Sequence, residues 1–502
     1  MTDSTAHNEY PPRKAGRPLI SPLLRAGSGI SQADRDKLVY TVGDRMAVLV
    51  ELNVDHGITV AMNHFTQLFA ATFAGQQVTK PVPIARRYLR CLLTQDQVNA
   101  LGDADRIGPR AIFRIWPDFR VRPHIDRSAA TVKANAAARS YGTNGDGIVW
   151  AVVDSGIDAT HPHFNCADVG PNLTDEEVAG SHRDFTPLLQ PDGTVSEDPK
   201  PALLDKFGHG THVAGIIAGA MPPAPAEIRI AANQPTMDDL PSWAGRTLET
   251  GHSLTSMAPK TRLISLKVLD DDGDTSSSVV IAALDYVRTV NSDGRQFIHG
   301  VNLSIGCDWY PDEYAAGQSP LCRAVNELAG NGVVVVVSAG NNGAAGTLTG
   351  GSGDVSGQLS TITDPGNAAK AITVGSTHRY APHQYGVSYT SSKGPTLDGR
   401  LKPDLVAPGE RITSAATGKL REGVLPLQCD PGIAAYIEDS GTSMAAPHVS
   451  GAIAAFLSVR TEYIGQPDEI KRVFCANAID LGRHQFYQGA GLLDLMRVLS
   501  NV

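Results

Sequence analysis

The chain has 502 residues, 42% of them hydrophobic, with a formal net charge of -9. That length predicts two or three domains, and the acidic balance counts against general nucleic-acid binding, which needs a basic surface. No apolar run approaches the ~20 residues that span a bilayer, and the N-terminal MTDSTAHNEYPPRKAGRP lacks the apolar core of a secretory leader. The expectation is therefore a cytoplasmic protein with neither membrane nor nucleic acid among its partners. The six cysteines (Cys91, Cys166, Cys307, Cys322, Cys429 and Cys475) are scattered without a C-x-x-C pair, which argues against a metal site or a dense disulfide framework. A Cys307–Cys322 bridge stays open.

Residues 1–43 begin with a stretch rich in Pro, Gly and Arg that shows no period, and read as a flexible arm. Residues 44–120 form a small unit. Met46, Val48, Val50 and Leu52 alternate as in a strand, and Ile58, Ala61, Met62, Phe65, Leu68, Phe69 and Phe73 recur at helical spacing. Thr94 and Gln97 make a capping box for a short helix, between strands around Leu89–Leu93 and Ala111–Ile115. The order βαβαβ suggests a small α+β sandwich. Residues 121–145 read as a linker and entry segment.

From 146 to 502 the pattern changes. Apolar strands (Ile148–Val153, Leu263–Val268, Val301–Ile305, Val333–Val337, Ala371–Val374) alternate with helices over about 276–290, 320–330 and 442–459. Near-continuous Val/Ile runs mark strands buried on both faces, so the sheet is parallel and covered by helices. Residues 220–256 and 344–364 are Pro-rich or Gly/Ser-rich and read as surface loops.

Four stretches carry chemistry. VVDSGID puts Asp154 at the end of a strand, where parallel sheets gather ligands; an Asx-turn role is the plain alternative. HGTHVAG opens a helix with His209 and His212. A zinc pair is disfavoured, because the spacing is i,i+3 and no Glu lies between them. GVVVVVSAGNNG ends a buried strand at Asn341. GTSMAAPHVSG places Ser443 where a Gly-containing turn enters an apolar helix, with Pro447 read as falling in the first turn, where its missing N–H does little harm. A serine there is ordinarily an N-cap. A hydroxyl at a helix N-terminus is also favourably placed for developing negative charge.

Together, and in this order, these blocks resemble the subtilisin-like serine proteases over about 130–502. The resemblance implies an α/β, three-layer catalytic domain with a central parallel sheet, preceded by a small α+β, ferredoxin-like propeptide domain at 44–120. It implies a serine endopeptidase with Asp154, His209 and Ser443 as triad, and with Asn341 and the Ser443 N–H as oxyanion hole. No cofactor is implied. Substrates bind as extended strands between Leu303-Ser304-Ile305-Gly306 and Gly273-Asp274-Thr275, beside a pocket walled by Ser338, Ala339 and Gly340 with Asn342 at its mouth. With no acid there, an apolar or broad preference is expected. The N-terminal domain is implied to be an intramolecular inhibitor. An ordinary imidazole of pKa about 6.5 predicts activity rising through roughly pH 6–8.

Two features depart from the family. His163 stands where a calcium-ligating Asp is usual, and the 220–256 segment replaces the calcium loop, so no metal is expected. The run Asp270-Asp271-Asp272-Gly273-Asp274 reads as a solvated acidic rim rather than a cation site. A regulated effector with a permanent N-terminal domain, and a transpeptidase or macrocyclase, stay open. The complete triad counts against a non-catalytic binding protein.

Overall fold

The computed structural model describes residues 19–21, 24, 41–42, 44–55, 57–85, 88–106, 110–117, 128–190, 192–222, 227–234, 242–247, 254–292, 294–307, 315–345, 356–430 and 432–502. The chain separates into two compact units, Met1–Arg122 and Pro123–Val502. Most of the 1–43 arm, and 121–127 of the linker, lie outside the described residues.

The first unit is an antiparallel sheet with two helices. Arg45–Leu52 is its central strand, pairing with Tyr88–Leu93 on one side and Ile112–Pro117 on the other. Its alternating Val48, Val50 and Leu52 are buried, as is Phe65 of the Ile58–Thr72 helix. The Thr94–Gln97 capping box is formed in both directions. Two details differ from the sequence reading. Val82–Ala85 is an additional strand at the sheet edge, a place that tolerates Pro83 because an edge N–H is dispensable. The arm is also not free throughout. Leu19, Ile20 and Leu24 are buried, and the Ser21 N–H bonds the Ile115 carbonyl at 3.0 Å. Leu19, Ile20 and Leu24 anchor what their Pro and Gly neighbours made look flexible.

The second unit is built on a seven-stranded parallel sheet. Its order is Leu405–Glu410, Ile372–His378, Val334–Ser338, Gly300–Leu303, Val149–Asp154, Arg262–Lys267 and Arg183–Asp184. Side chains alternate between faces: Trp150 and Val152 enter one core, and Val149, Ala151 and Val153 the other. His209–Ile217 and Thr442–Leu457 cover the first face; Ser277–Val290 and Pro320–Gly330 cover the second. Gly300 lies opposite Trp150, and a Cβ there would come within 2.2 Å of the indole ring. A bulkier residue would force the two central strands apart.

The 220–256 segment is not simply a loop. It supplies strands Ile228–Gln234 and Ser242–Arg246 to a four-stranded sheet with Ile412–Ala415 and Ala434–Asp439. Short strands such as IRIAANQ and AAYIED lack a run of branched residues, so their pairing, not their composition, reveals them. Every cysteine is a free thiol, so no Cys307–Cys322 bridge exists.

Candidate active site

Asp154 ends the central strand Val149–Asp154 and is fully buried. Its Oδ1 accepts from the Ser155 N–H and lies 2.8 Å from His209 Nδ1. A carboxylate there fixes the proton on Nδ1 and leaves Nε2 free as a base. Close approach depends on Gly210: a Cβ at that position would meet the Gly156 carbonyl at 2.2 Å and the Asp154 Cβ at 3.1 Å. A fifth of the His209 side chain is exposed, so the ring reaches solvent while its partner does not. Burial is the strongest influence on His209 and lowers its pKa. The charge and hydrogen bond of Asp154, with the charges of Asp439 and Asp205, outweigh it and raise the pKa to about 9.

Asp205 is a residue the sequence reading passed over. It accepts from the Gly208 N–H at 2.7 Å, the Thr211 N–H at 2.8 Å, Thr211 Oγ1 at 2.6 Å and Ser155 Oγ at 2.9 Å. It thereby satisfies the N-terminal donors of the His209 helix and ties that helix to the strand bearing Asp154. An Asp shortly before a Gly-His helix start was the signal available.

Ser443 is the second residue of the Thr442–Leu457 helix. Pro447 is the sixth, past the first turn, so the expectation that its missing N–H costs nothing is corrected. That N–H would have bonded the Ser443 carbonyl four residues back. Ser304 Oγ does so instead, at 2.8 Å, and is itself held by Asn302 Nδ2 at 2.9 Å, whose Oδ1 accepts from Ser450 Oγ at 2.8 Å. A buried polar chain therefore replaces the lost helix bond and locks Ser443 to the end of Gly300–Leu303. Ser443 Oγ donates to the Ser304 carbonyl at 3.0 Å rather than to His209.

Asn341 follows the strand Val334–Ser338. Its Oδ1 accepts from the Thr442 N–H at 3.0 Å and Thr442 Oγ1 at 3.1 Å. The amide oxygen being so occupied, Nδ2 remains the free donor beside the helix that carries Ser443.

His209, Gly273, Asp274, Thr275, Ser304, Ile305 and Gly306 line one cleft of about 340 Å³. Leu303 does not belong to it. Its side chain is fully buried, and its strand is paired on both edges, with Val337 and with Val153. A guest strand needs unpaired backbone, so the usable edge starts at Ser304. Ser338 and Ala339 are buried and, with Gly340 and Asn342, lie outside the lining of that cleft. The acidic run is a set of ion pairs: Asp271 with Lys206 at 2.7 Å and Lys267 at 3.4 Å, and Asp272 with Lys419. Among the described residues no group of three or more His, Cys, Asp or Glu could hold a metal.

His163 does not suit calcium, which takes oxygen ligands. Its Nε2 faces the Gly215 and Ala218 carbonyls at 3.1 and 3.2 Å, so it carries the proton, and Nδ1 accepts from the Tyr436 hydroxyl at 3.2 Å.

The chain is similar in sequence and in fold to known proteins. Pyrolysin of Pyrococcus furiosus is 32% identical over 55% of the chain, a match that covers 19% of that protein. The serine protease AprX of Bacillus subtilis is 28% identical, with 72% of this chain and 68% of AprX covered. Subtilisin BL of Lederbergia lenta is 27% identical, with 71% and 93% covered. The fold is shared with the CspB protease of Clostridium perfringens, at a TM-score of 0.53 and 18% identity over 74% of this chain and 98% of that one. The family model for the subtilase family matches residues 145–491, more than half of the sequence, and the chain thus belongs to the subtilase family as a serine endopeptidase.

Proposed function

We propose that Asp154, His209 and Ser443 form the catalytic triad of this endopeptidase, and that Asn341 Nδ2 and the Ser443 N–H hold the oxyanion. The observation that carries the reading is the 2.8 Å contact between His209 Nδ1 and buried Asp154. Rotation about the Ser443 Cα–Cβ bond frees Oγ from the Ser304 carbonyl and turns it to His209 Nε2, a bond that tightens when substrate binds. Oγ then attacks the peptide carbonyl while Nε2 takes its proton. The proton passes to the leaving amine, and the acyl-enzyme is hydrolysed by water activated in the same way. Asp154 holds the tautomer and stabilises the imidazolium. Substrate lies as a strand along Ser304–Gly306 and Gly273–Thr275, supported by the absence of backbone hydrogen bonds at Ile305 and Gly306 among the described residues.

The N-terminal unit acts in this reading as an intramolecular inhibitor, effective because a tether keeps its local concentration high. Ser443 then cuts its own chain between about residues 119 and 131. The test is expression of wild type beside Ser443→Ala. The variant stays at the full 53.0 kDa, and wild type yields a mature fragment starting in that window. Active wild type that remains full length would instead make the N-terminal unit a permanent regulatory domain.

A further inference from the structure

We propose that Lys393 is a positioning residue for the oxyanion donor, its ammonium bracing the turn that carries Asn341. The inference rests on the reading of Asn341 as that donor. The turn, residues 340–343, follows strand Val334–Ser338, and two segments hold it. The first is the start of the Ser443 helix. The Gly340 N–H donates to Thr442 Oγ1 at 3.2 Å, and Asn341 Oδ1 accepts from the Thr442 N–H and hydroxyl. The second is 390–393. The Ser392 N–H donates to the Gly340 carbonyl at 2.9 Å, the Asn342 N–H to Ser392 Oγ at 3.0 Å, and the Gly343 N–H to the Thr390 carbonyl at 2.9 Å. Lys393 Nζ completes this set by donating to the Gly343 carbonyl at 2.7 Å.

The ammonium is spent on backbone. Besides Gly343 it donates to the Tyr389 carbonyl at 2.8 Å and the Ser391 carbonyl at 3.0 Å, which uses all three of its N–H groups. The Tyr487 ring lies 5.5 Å from Nζ, within cation–π range. The side chain is 3% exposed, so these groups replace its water. Burying a cation costs stability, and an apolar side chain of like volume often serves packing as well or better. An apolar side chain cannot, however, tie the carbonyl two residues after Asn341 to those of Tyr389 and Ser391. The approach is close: a Cβ at Gly343 would stand 1.9 Å from the Ser391 carbonyl oxygen and 2.3 Å from Nζ. Asn341 is thereby fixed twice, its Oδ1 on Thr442 and its turn on 390–393. An oxyanion donor acts by being in place before the charge develops. Without the ammonium the turn loosens and Nδ2 drifts from that place.

The test is a double-mutant cycle on the full chain, with one quenched fluorescent peptide as substrate and Tm measured for each variant. Lys393→Met keeps an unbranched side chain and removes every donor. Its kcat should fall about tenfold, part of the 10²–10³ that a whole oxyanion donor supplies, with KM changed by less than about twofold. In an Asn341→Ala background no donor is left to position, and the same substitution should lower kcat by less than about twofold. A lysine that merely supports the fold would lower Tm and then lower kcat equally in both backgrounds, or in neither. Either result overturns this inference alone. Should Lys393→Met not fold, Lys393→Gln, which retains two N–H donors, runs the same cycle with about a threefold effect expected, and equal effects in both backgrounds overturn the inference as before. An Asn341→Ala variant with unaltered kcat overturns the oxyanion reading and this inference with it.

Discussion

His209 and His212 sit three residues apart on one helix, yet they belong to different regions. His209 is partly open to solvent and feels the charges of Asp154 and Asp439, each at the end of a strand. His212 faces an interior that already holds His161, His163 and His448, all buried. Burial pushes every one of these imidazoles down: His161 and His448 to about 4, His163 to about 3, and His212 below its ordinary value. Only at His209 do carboxylates reverse the effect and lift the pKa to about 9. Two of the interior imidazoles are neutral struts between a backbone carbonyl and a hydroxyl, His448 between the Met444 carbonyl and Ser128 Oγ and His163 between the Gly215 carbonyl and the Tyr436 hydroxyl. Burial alone makes a histidine structural; a fixed carboxylate makes it a base.

The most severe way to erase this difference is Asp154→Asn, which leaves the part-buried His209 without the charge of its partner. With His209 as the proposed base, catalysis requires it neutral, so a pKa raised to about 9 leaves it mostly protonated at neutral pH, and activity should climb as pH rises through about 9. In the variant kcat should fall by about 10⁴, as on neutralising this carboxylate in serine proteases of the same mechanism. The rising limb should also move to lower pH. A kcat/KM profile from pH 6 to 10 checks both; a limb that stays in place would show that Asp154 does not set the pKa.

Asn341→Ala probes the same site without touching its charge. Loss of one oxyanion donor should lower kcat by about 10²–10³, a magnitude established on this enzyme family, with little change in KM. An unaltered kcat would place the donor elsewhere.

Acid titration sharpens the other side. For His161, His163, His182 and His448 the folded pKa lies below the unfolded value of about 6.5. Their contribution is complete above that value and is lost as pH falls toward 4 and 3. His209 runs the opposite way: its contribution is present below about 6.5 and is lost as pH rises through 9. Calorimetry should show Tm falling by more than about 5 °C from pH 7 to pH 5, whereas a flat profile would mean that the interior imidazoles take up protons as readily in the folded as in the unfolded chain.

The sheet and the blocks that carry the proposed triad were legible because their signals are local. Val334–Ser338 lies in a run of five valines, and Asp154, His209, Asn341 and Ser443 each sit in a short Gly-marked block. What escaped is long-range. The strands at 228–234 and 434–439 acquire their character by pairing with each other and with 242–246 and 412–415. Leu303 looked like a cleft edge until both its neighbours were in place. Asn302, Ser304 and Ser450 mend a helix bond that Pro447 removes, and nothing near Pro447 in sequence announces the repair. Burial lowers the His209 pKa, but Asp154, and after it Asp439 and Asp205 from other segments, raise it to about 9, so the rising limb is expected there rather than at roughly pH 6–8.

The central claim is that Ser443, activated by His209, is the nucleophile. The purified chain, together with any mature fragment it has released, should be treated with a fluorophosphonate and mapped by peptide mass. One adduct on Ser443 is expected, with none in His209→Ala. An unmodified Ser443, or an adduct on another serine, would contradict the account.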